Sequence, residues 1–173
     1  MPKDKVTVDR IKLLHPAIIC LVTQAIDKAE AGMAANMAVR VVQGLRTIAE
    51  QNALYAKGRT TPGPKVTNAK GGQSIHNYGL AVDFALLIDR DKNGTFEELS
   101  WSMILDLDAD GKKDWDEVVV AFESLGFSWG GRWRTFKDYP HCDMTFGHDW
   151  KWFLAQHEAG KFIPGTKFVN LGS

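Results

Sequence analysis

The residues best suited to chemistry are His76 and Asp83, in the run Ser74-Ile-His76-Asn-Tyr-Gly79-Leu-Ala-Val-Asp83. Here a glycine-rich loop feeds an apolar strand, and an ionised carboxylate in such a strand is costly unless a cation pairs with it. A metal ion would meet that need, since imidazole and carboxylate both ligate Zn²⁺ at about 2.0–2.2 Å. Gly79 lets the backbone bend so that the two side chains converge. A catalytic zinc site also wants a third protein ligand and an open position. Further along, Lys137-Asp-Tyr-Pro140-His141 offers His141 as that ligand, at the start of a strand. Asp138, ahead of the turn forced by Pro140, is placed to act as general base. Singly, each residue has an ordinary reading: an Asp at a strand edge or bulge, a His held by a hydrogen bond. The ordered combination points to a metal centre.

A second metal pattern occupies residues 106–117. Asp106, Asp108, Asp110, Asp114 and Glu117 fall at positions 1, 3, 5, 9 and 12, with Gly111 at position 6. That is the spacing of a calcium loop, in which Lys112 would contribute its backbone carbonyl. Lys113 stands where a hydrophobic residue normally pairs with a partner loop, so a solitary loop is expected. The bland alternative is a solvated acidic turn. Upstream, Asp89-Arg-Asp91-Lys-Asn93-Gly94 repeats the early positions, but Ser100 replaces the final Glu. A simple Asn-Gly turn between strands accounts for it equally well. Ca²⁺ in the downstream loop would order the segment between Asp83 and His141.

The elements that must position these groups can be read from periodicity. Val8, Ile11, Leu14, Ile18, Leu21, Val22 and Ala25 recur at helical spacing, predicting a helix over 7–31 with a kink or turn at His15-Pro16. Residues 38–42 read as a strand and 47–57 as a helix. Residues 58–73 are a loop by composition, long enough to suggest a binding role. Residues 80–88 are nearly all apolar and predict a central strand. A helix over 116–125, strands over 127–129 and 141–146, and a closing helix over 149–156 complete the pattern. The last helix has Trp150, Phe153 and Leu154 on its apolar side. The expected fold is α+β: one compact domain, a small antiparallel sheet flanked by helices.

Composition narrows the function. The 173 residues are 45% hydrophobic and 24% charged, with basic and acidic residues in balance. A neutral chain is a poor candidate for a dedicated nucleic-acid or anionic-membrane binder. Cys20 and Cys142 make no disulfide framework, and both read as buried thiols. No apolar run approaches a membrane span. Met1–Arg10 is polar and mixed in charge, so no secretory signal is expected.

The string Ser74-x-His76-x-x-Gly79-x-Ala81-x-Asp83, then Trp129-Gly-Gly131-x-Trp133, then Asp138-x-Pro140-His141, resembles the zinc peptidases of the D-alanyl-D-alanine carboxypeptidase family. More narrowly it resembles the L-alanyl-D-glutamate endopeptidases that bacteriophages use as endolysins. The resemblance spans about residues 40–146. It implies a hedgehog/D,D-peptidase-like fold, Zn²⁺ held by His76, Asp83 and His141, and Asp138 as catalytic base. Many members carry Glu at the base position; Asp is one methylene shorter. Gly44-Leu-Arg46 through Gln51 and Tyr55 also resembles the family and implies that Arg46 and Gln51 line a substrate cleft. A fixed guanidinium suits both a peptide carboxylate and a developing oxyanion. Ser74 would hold substrate, Trp133 would border the cleft, and Trp129 would pack in the core. The implied substrate is the peptidoglycan stem peptide and the implied state a monomer made in a host cytoplasm and acting on the wall after release. D,D-carboxypeptidases and dipeptidases of the same family, and a non-catalytic wall-binding module, are the alternatives.

Overall fold

The computed structural model describes residues 3–172. Helix α1 spans Lys5–Ile11 and α2 spans Pro16–Gly32. Of the kink or turn expected at His15-Pro16 within 7–31, the structure takes the turn, giving two helices. Pro16 lacks an N–H and its ring excludes the carbonyl four residues back, so it opens a new helix instead of continuing the old one. His15 caps that opening, its Nδ1 accepting from the Ala17 N–H at 3.1 Å. The inward face of α2 carries Ile18, Val22, Ala25, Ile26 and Ala29, all buried, at the predicted spacing. Cys20 lies off this face and is exposed, contrary to expectation, while Cys142 is buried.

Strand β1 spans Met37–Gln43, β2 Ala81–Ile88, β3 Glu98–Ser100, β4 Ser128–Trp129 and β5 His141–Asp143. They form one antiparallel sheet in the order β1-β2-β5-β4, with β3 on β2. One side of β2 is shared: Ala81–Asp83 pair with β5 and Leu86–Ile88 with β3. Its other side pairs with β1. Burial on all sides explains the almost continuous apolar run of β2, whose one residue short of full burial is Asp83. β3 is the strand implied by an Asn93-Gly94 turn between strands; its bounds were not legible, since Glu-Leu-Ser is short, mostly exposed and without apolar alternation. β5 stops three residues before the expected end at 146, and Phe146 and Gly147 turn the chain with positive φ.

Helix α3 spans Ile48–Ala56, α4 Asp114–Glu123 and α5 Trp150–Glu158. Thr47 and Glu50 form a reciprocal capping box at the start of α3. Phe84 of β2 packs on Trp115 of α4 with ring centroids 4.6 Å apart. The core is thus a sheet face covered by α2 and α4. At the open edge of β1, the Thr7 Oγ1 of α1 accepts from the Val41 N–H at 2.9 Å, and its one proton lies between Asp4 Oδ2 at 2.7 Å and the Val39 carbonyl at 3.2 Å. This covers backbone groups that would otherwise be left unpaired at an edge strand. Among the described residues, no helix is long and apolar enough to cross a membrane.

Candidate metal centre and active site

Asp83 and His141 are direct partners in the β2–β5 ladder. A cross-strand pair of this kind presents both side chains on one face at short range. His76 comes from a 3₁₀ helix, Ile75–Tyr78, that ends on Gly79 at φ 69°. Only glycine takes that left-handed turn without strain, and a Cβ there would lie 2.9 Å from the His15 backbone nitrogen.

The three side chains meet. His76 Nε2 is 3.1 Å from Asp83 Oδ1 and 3.2 Å from His141 Nδ1. His141 Nδ1 is itself 3.1 Å from the same Asp83 oxygen. The outer nitrogens decide the tautomers. His76 Nδ1 faces the Gly44 carbonyl oxygen at 2.8 Å, and His141 Nε2 faces Asp143 Oδ2 at 3.0 Å. Each outer partner can only accept, so each outer nitrogen donates and each neutral ring turns a lone pair inward. With both rings neutral, three electron pairs converge on one point. A tetrahedral ion with ligands at about 2.0–2.1 Å spaces them about 3.3 Å apart, close to the observed triangle. Two imidazoles and a carboxylate are a donor set that fits Zn²⁺.

The electrostatics express the same demand for positive charge. Burial alone would raise Asp83, but the flanking His76 and His141 hold its carboxyl far below the usual range. Burial alone would lower His141, yet the carboxylates of Asp143 and Asp83 push it up to about 9. Either a proton or a metal ion satisfies the pocket.

A cleft of about 680 Å³ opens over this triangle and is lined by His76, Asp83, His141, Asp138, Arg46 and Trp133 among others. Asp138 is raised by burial and by the charge of Asp83, against the pull of His141, His76 and Arg46. A tight turn ties it to the ligand: the His141 N–H donates to the Asp138 carbonyl at 3.2 Å. Gly130 makes room for that turn. A Cβ on it would overlap the Asp138 carbonyl oxygen and come within 3.2 Å of the His141 Cβ.

The other expected site residues separate. Arg46 sits in the cleft wall, its Nη2 3.8 Å from Asp83 Oδ2. Ser74 precedes the 3₁₀ helix without capping it and also lines the cleft. Trp133 lies over His141, centroids 5.1 Å apart. Trp129 is partly buried against the core. Gln51 is wholly buried beneath the cleft. Its Oε1 accepts from Arg46 Nη1 at 2.9 Å, and its Nε2 donates to the Ala69 carbonyl at 2.8 Å. It joins Arg46 to the loop instead of facing the cavity. The loop expected to bind does contribute, through Val66, Thr67, Asn68 and Ala69. The Asp106, Asp108 and Asp110 carboxylates come within 4.8 Å of one another, apart from the cleft.

The family model described as D-alanyl-D-alanine carboxypeptidase matches residues 67–144, which contain His76, Asp83, Asp138 and His141. The peptidoglycan L-alanyl-D-glutamate endopeptidase CwlK of Bacillus subtilis is 48% identical over 133 residues, covering 76% of this chain and 73% of CwlK. The chain belongs to the D-alanyl-D-alanine carboxypeptidase family. Its fold matches the crystal structure of the Serratia marcescens L-Ala D-Glu endopeptidase ChiX, with TM-score 0.53 and 22% identity over 82% of this chain and 88% of that one. This family member is a metallopeptidase.

The sequence marks Asp143 only as the nearest rival to Asp138 for the base, on His141's strand face, and not as the partner of the outer His141 nitrogen. The two-residue period of β5 was the available signal, since it puts positions 141 and 143 on one side. Nothing local indicated the Gly44 carbonyl, or Thr135, Phe136 and Trp150 as further cleft walls.

Proposed function

We propose that this metallopeptidase hydrolyses the bond between L-Ala and D-Glu in peptidoglycan stem peptides. The whole chain is read as one catalytic domain, 1–173, acting on the wall as a monomer, in the manner of an endolysin. What carries the reading is the convergence of three inward lone pairs, from His76, Asp83 and His141, at the floor of a cleft that also holds Asp138 and Arg46. Likeness to CwlK over three quarters of the chain supports the choice of bond.

Zn²⁺ held by His76, Asp83 and His141 would supply Lewis acidity to the scissile carbonyl and a water that ionises near neutral pH. The protein does the rest. Asp138 takes a proton from the attacking water and returns it to the leaving amine. Arg46, pinned by Gln51, presents a guanidinium to substrate carboxylate and to the developing oxyanion. Ser74 and Trp133 hold and wall the peptide. Asp143 keeps the outer His141 nitrogen protonated, so that the inner one stays a donor of electrons. Calcium enters none of these steps; bound in the 106–117 loop it would regulate activity by ordering the segment between Asp83 and His141.

Purified peptidoglycan digested with and without a zinc chelator tests the reading. The expected result is chelator-sensitive appearance of new amino termini on D-Glu, identified by mass spectrometry. Release of free D-Ala would mean a D,D-carboxypeptidase, and wall binding without any new terminus would mean a non-catalytic module. His76→Ala and Asp83→Ala are each expected to lose zinc and hydrolysis together.

A further inference from the structure

Outside the cleft, an acidic cluster with buried, unpartnered oxygens lies at the foot of α4. The carboxylates of Asp106, Asp108 and Asp110 gather there, and the one lysine tied to them is the exposed Lys112, on Asp110. The informative residue is Asp114. It has no exposed surface, and its Oδ2 accepts from the Leu107 N–H at 3.1 Å, which turns the carboxyl into the loop. Its Oδ1 is buried with no partner among the described residues. Glu117 Oε2 is likewise buried and unpartnered, on a carboxyl that lies against Gly32 of α2 and would swing in to complete the loop. Buried carboxylate oxygens without partners are rare because each forfeits its hydration. Here they occur at positions 9 and 12 of a twelve-residue loop, where a calcium loop supplies its last ligands.

We propose that residues 106–117 bind one Ca²⁺, through Asp106, Asp108, Asp110, the Lys112 carbonyl, Asp114 and Glu117. Six or more oxygens on a flexible loop favour Ca²⁺ over Mg²⁺, which demands a rigid octahedron. The ion would fasten the start of α4, whose Trp115 packs on Phe84, the residue after Asp83. The upstream loop is an internal control. Lys92 and Ala109 both take positive φ, and the same backbone donors serve Asp89 and Asp106. Yet the upstream loop ends in Ser100, and none of its side chains is a buried orphan. The upstream carboxylates of Asp89, Asp91 and Glu97 also come within 4.8 Å of one another, but without a buried orphan oxygen they carry no such demand.

The test needs no peptidase activity. Full-length protein is stripped of metal, reloaded with one equivalent of Zn²⁺ and titrated with CaCl₂ by calorimetry. One saturable site per chain is expected, with Mg²⁺ at least about tenfold weaker. Asp108→Asn and Glu117→Gln are each expected to weaken calcium at least about tenfold, and Asp91→Asn to leave it unchanged. Asp114→Asn gives a signature that a solvated acidic turn would not: a higher Tm than wild type without calcium and a lower Tm in saturating calcium. No saturable binding up to about 10 mM CaCl₂ overturns the proposal. So does binding that survives Asp108→Asn and Glu117→Gln, or that is lost in Asp91→Asn.

Discussion

A single hydrogen bond decides what His141 can do. Asp143 accepts from its outer nitrogen, and that fixes the ring so that Nδ1 turns toward Asp83 and His76. Asp143→Ala is expected to lower zinc affinity by about 10–100-fold, read by competition with a chromophoric chelator, with the sheet intact. Asp138 has a different duty. Asp138→Ala is expected to keep its zinc and lose at least about 10²-fold in kcat on stem peptides. The pH profile carries a sign. Burial and the Asp83 charge raise the Asp138 carboxyl, and a base must be ionised to accept a proton. Activity should therefore fall as pH is lowered through the Asp138 value, and a bound Zn²⁺ would draw that value back down. An acid limb of kcat/KM that is unchanged in Asp138→Glu would contradict Asp138 as the base. The ligands themselves were legible because His, Asp and Gly at those intervals have few structural uses. Asp143 and Gln51 were less so, since their partners lie across a strand face and under a cleft.

Among the elements, α1 shows how a short helix can serve an edge strand. Asp4 caps it by accepting from the Thr7 N–H at 2.9 Å, and pairs with Arg40 of β1 at 2.7 Å. Burial opposes ionisation of Asp4, but Arg40 and Thr7 overcome it and hold the carboxyl below its usual range. A depressed carboxyl stabilises the fold above its unfolded pKa, and that contribution is lost as pH falls through the folded value. Asp4→Ala is expected to cost about 1–3 kcal/mol in urea unfolding at pH 7, with the difference from wild type shrinking toward pH 2–3. The α1–α2 boundary was readable because Pro16 acts on its own turn. The clamp on β1 was not, because Asp4 and Arg40 are thirty-six residues apart in the chain.

At the scale of the molecule, the metal centre ties together the segment before β2, β2 itself and β5. A ligand that binds only the folded state stabilises it by mass action, about 4 kcal/mol at a thousandfold excess over Kd. Zinc removal is therefore expected to lower Tm by about 8–16 °C for a chain of this size, measured by calorimetry with and without chelator. His76→Ala should show no such chelator effect. The sequence by itself determined the α+β class, the central strand, the order of His76, Asp83, Asp138 and His141, and the spacing of the acidic loop. Each of these follows from residue type and short-range periodicity, which the chain carries locally. Tertiary structure alone decided that three lone pairs face one point, that Gln51 lies under the cleft, and that Asp114 is buried with an oxygen unpaired. Those facts depend on which distant groups the sheet and its covering helices bring within hydrogen-bond range, and no local pattern encodes that.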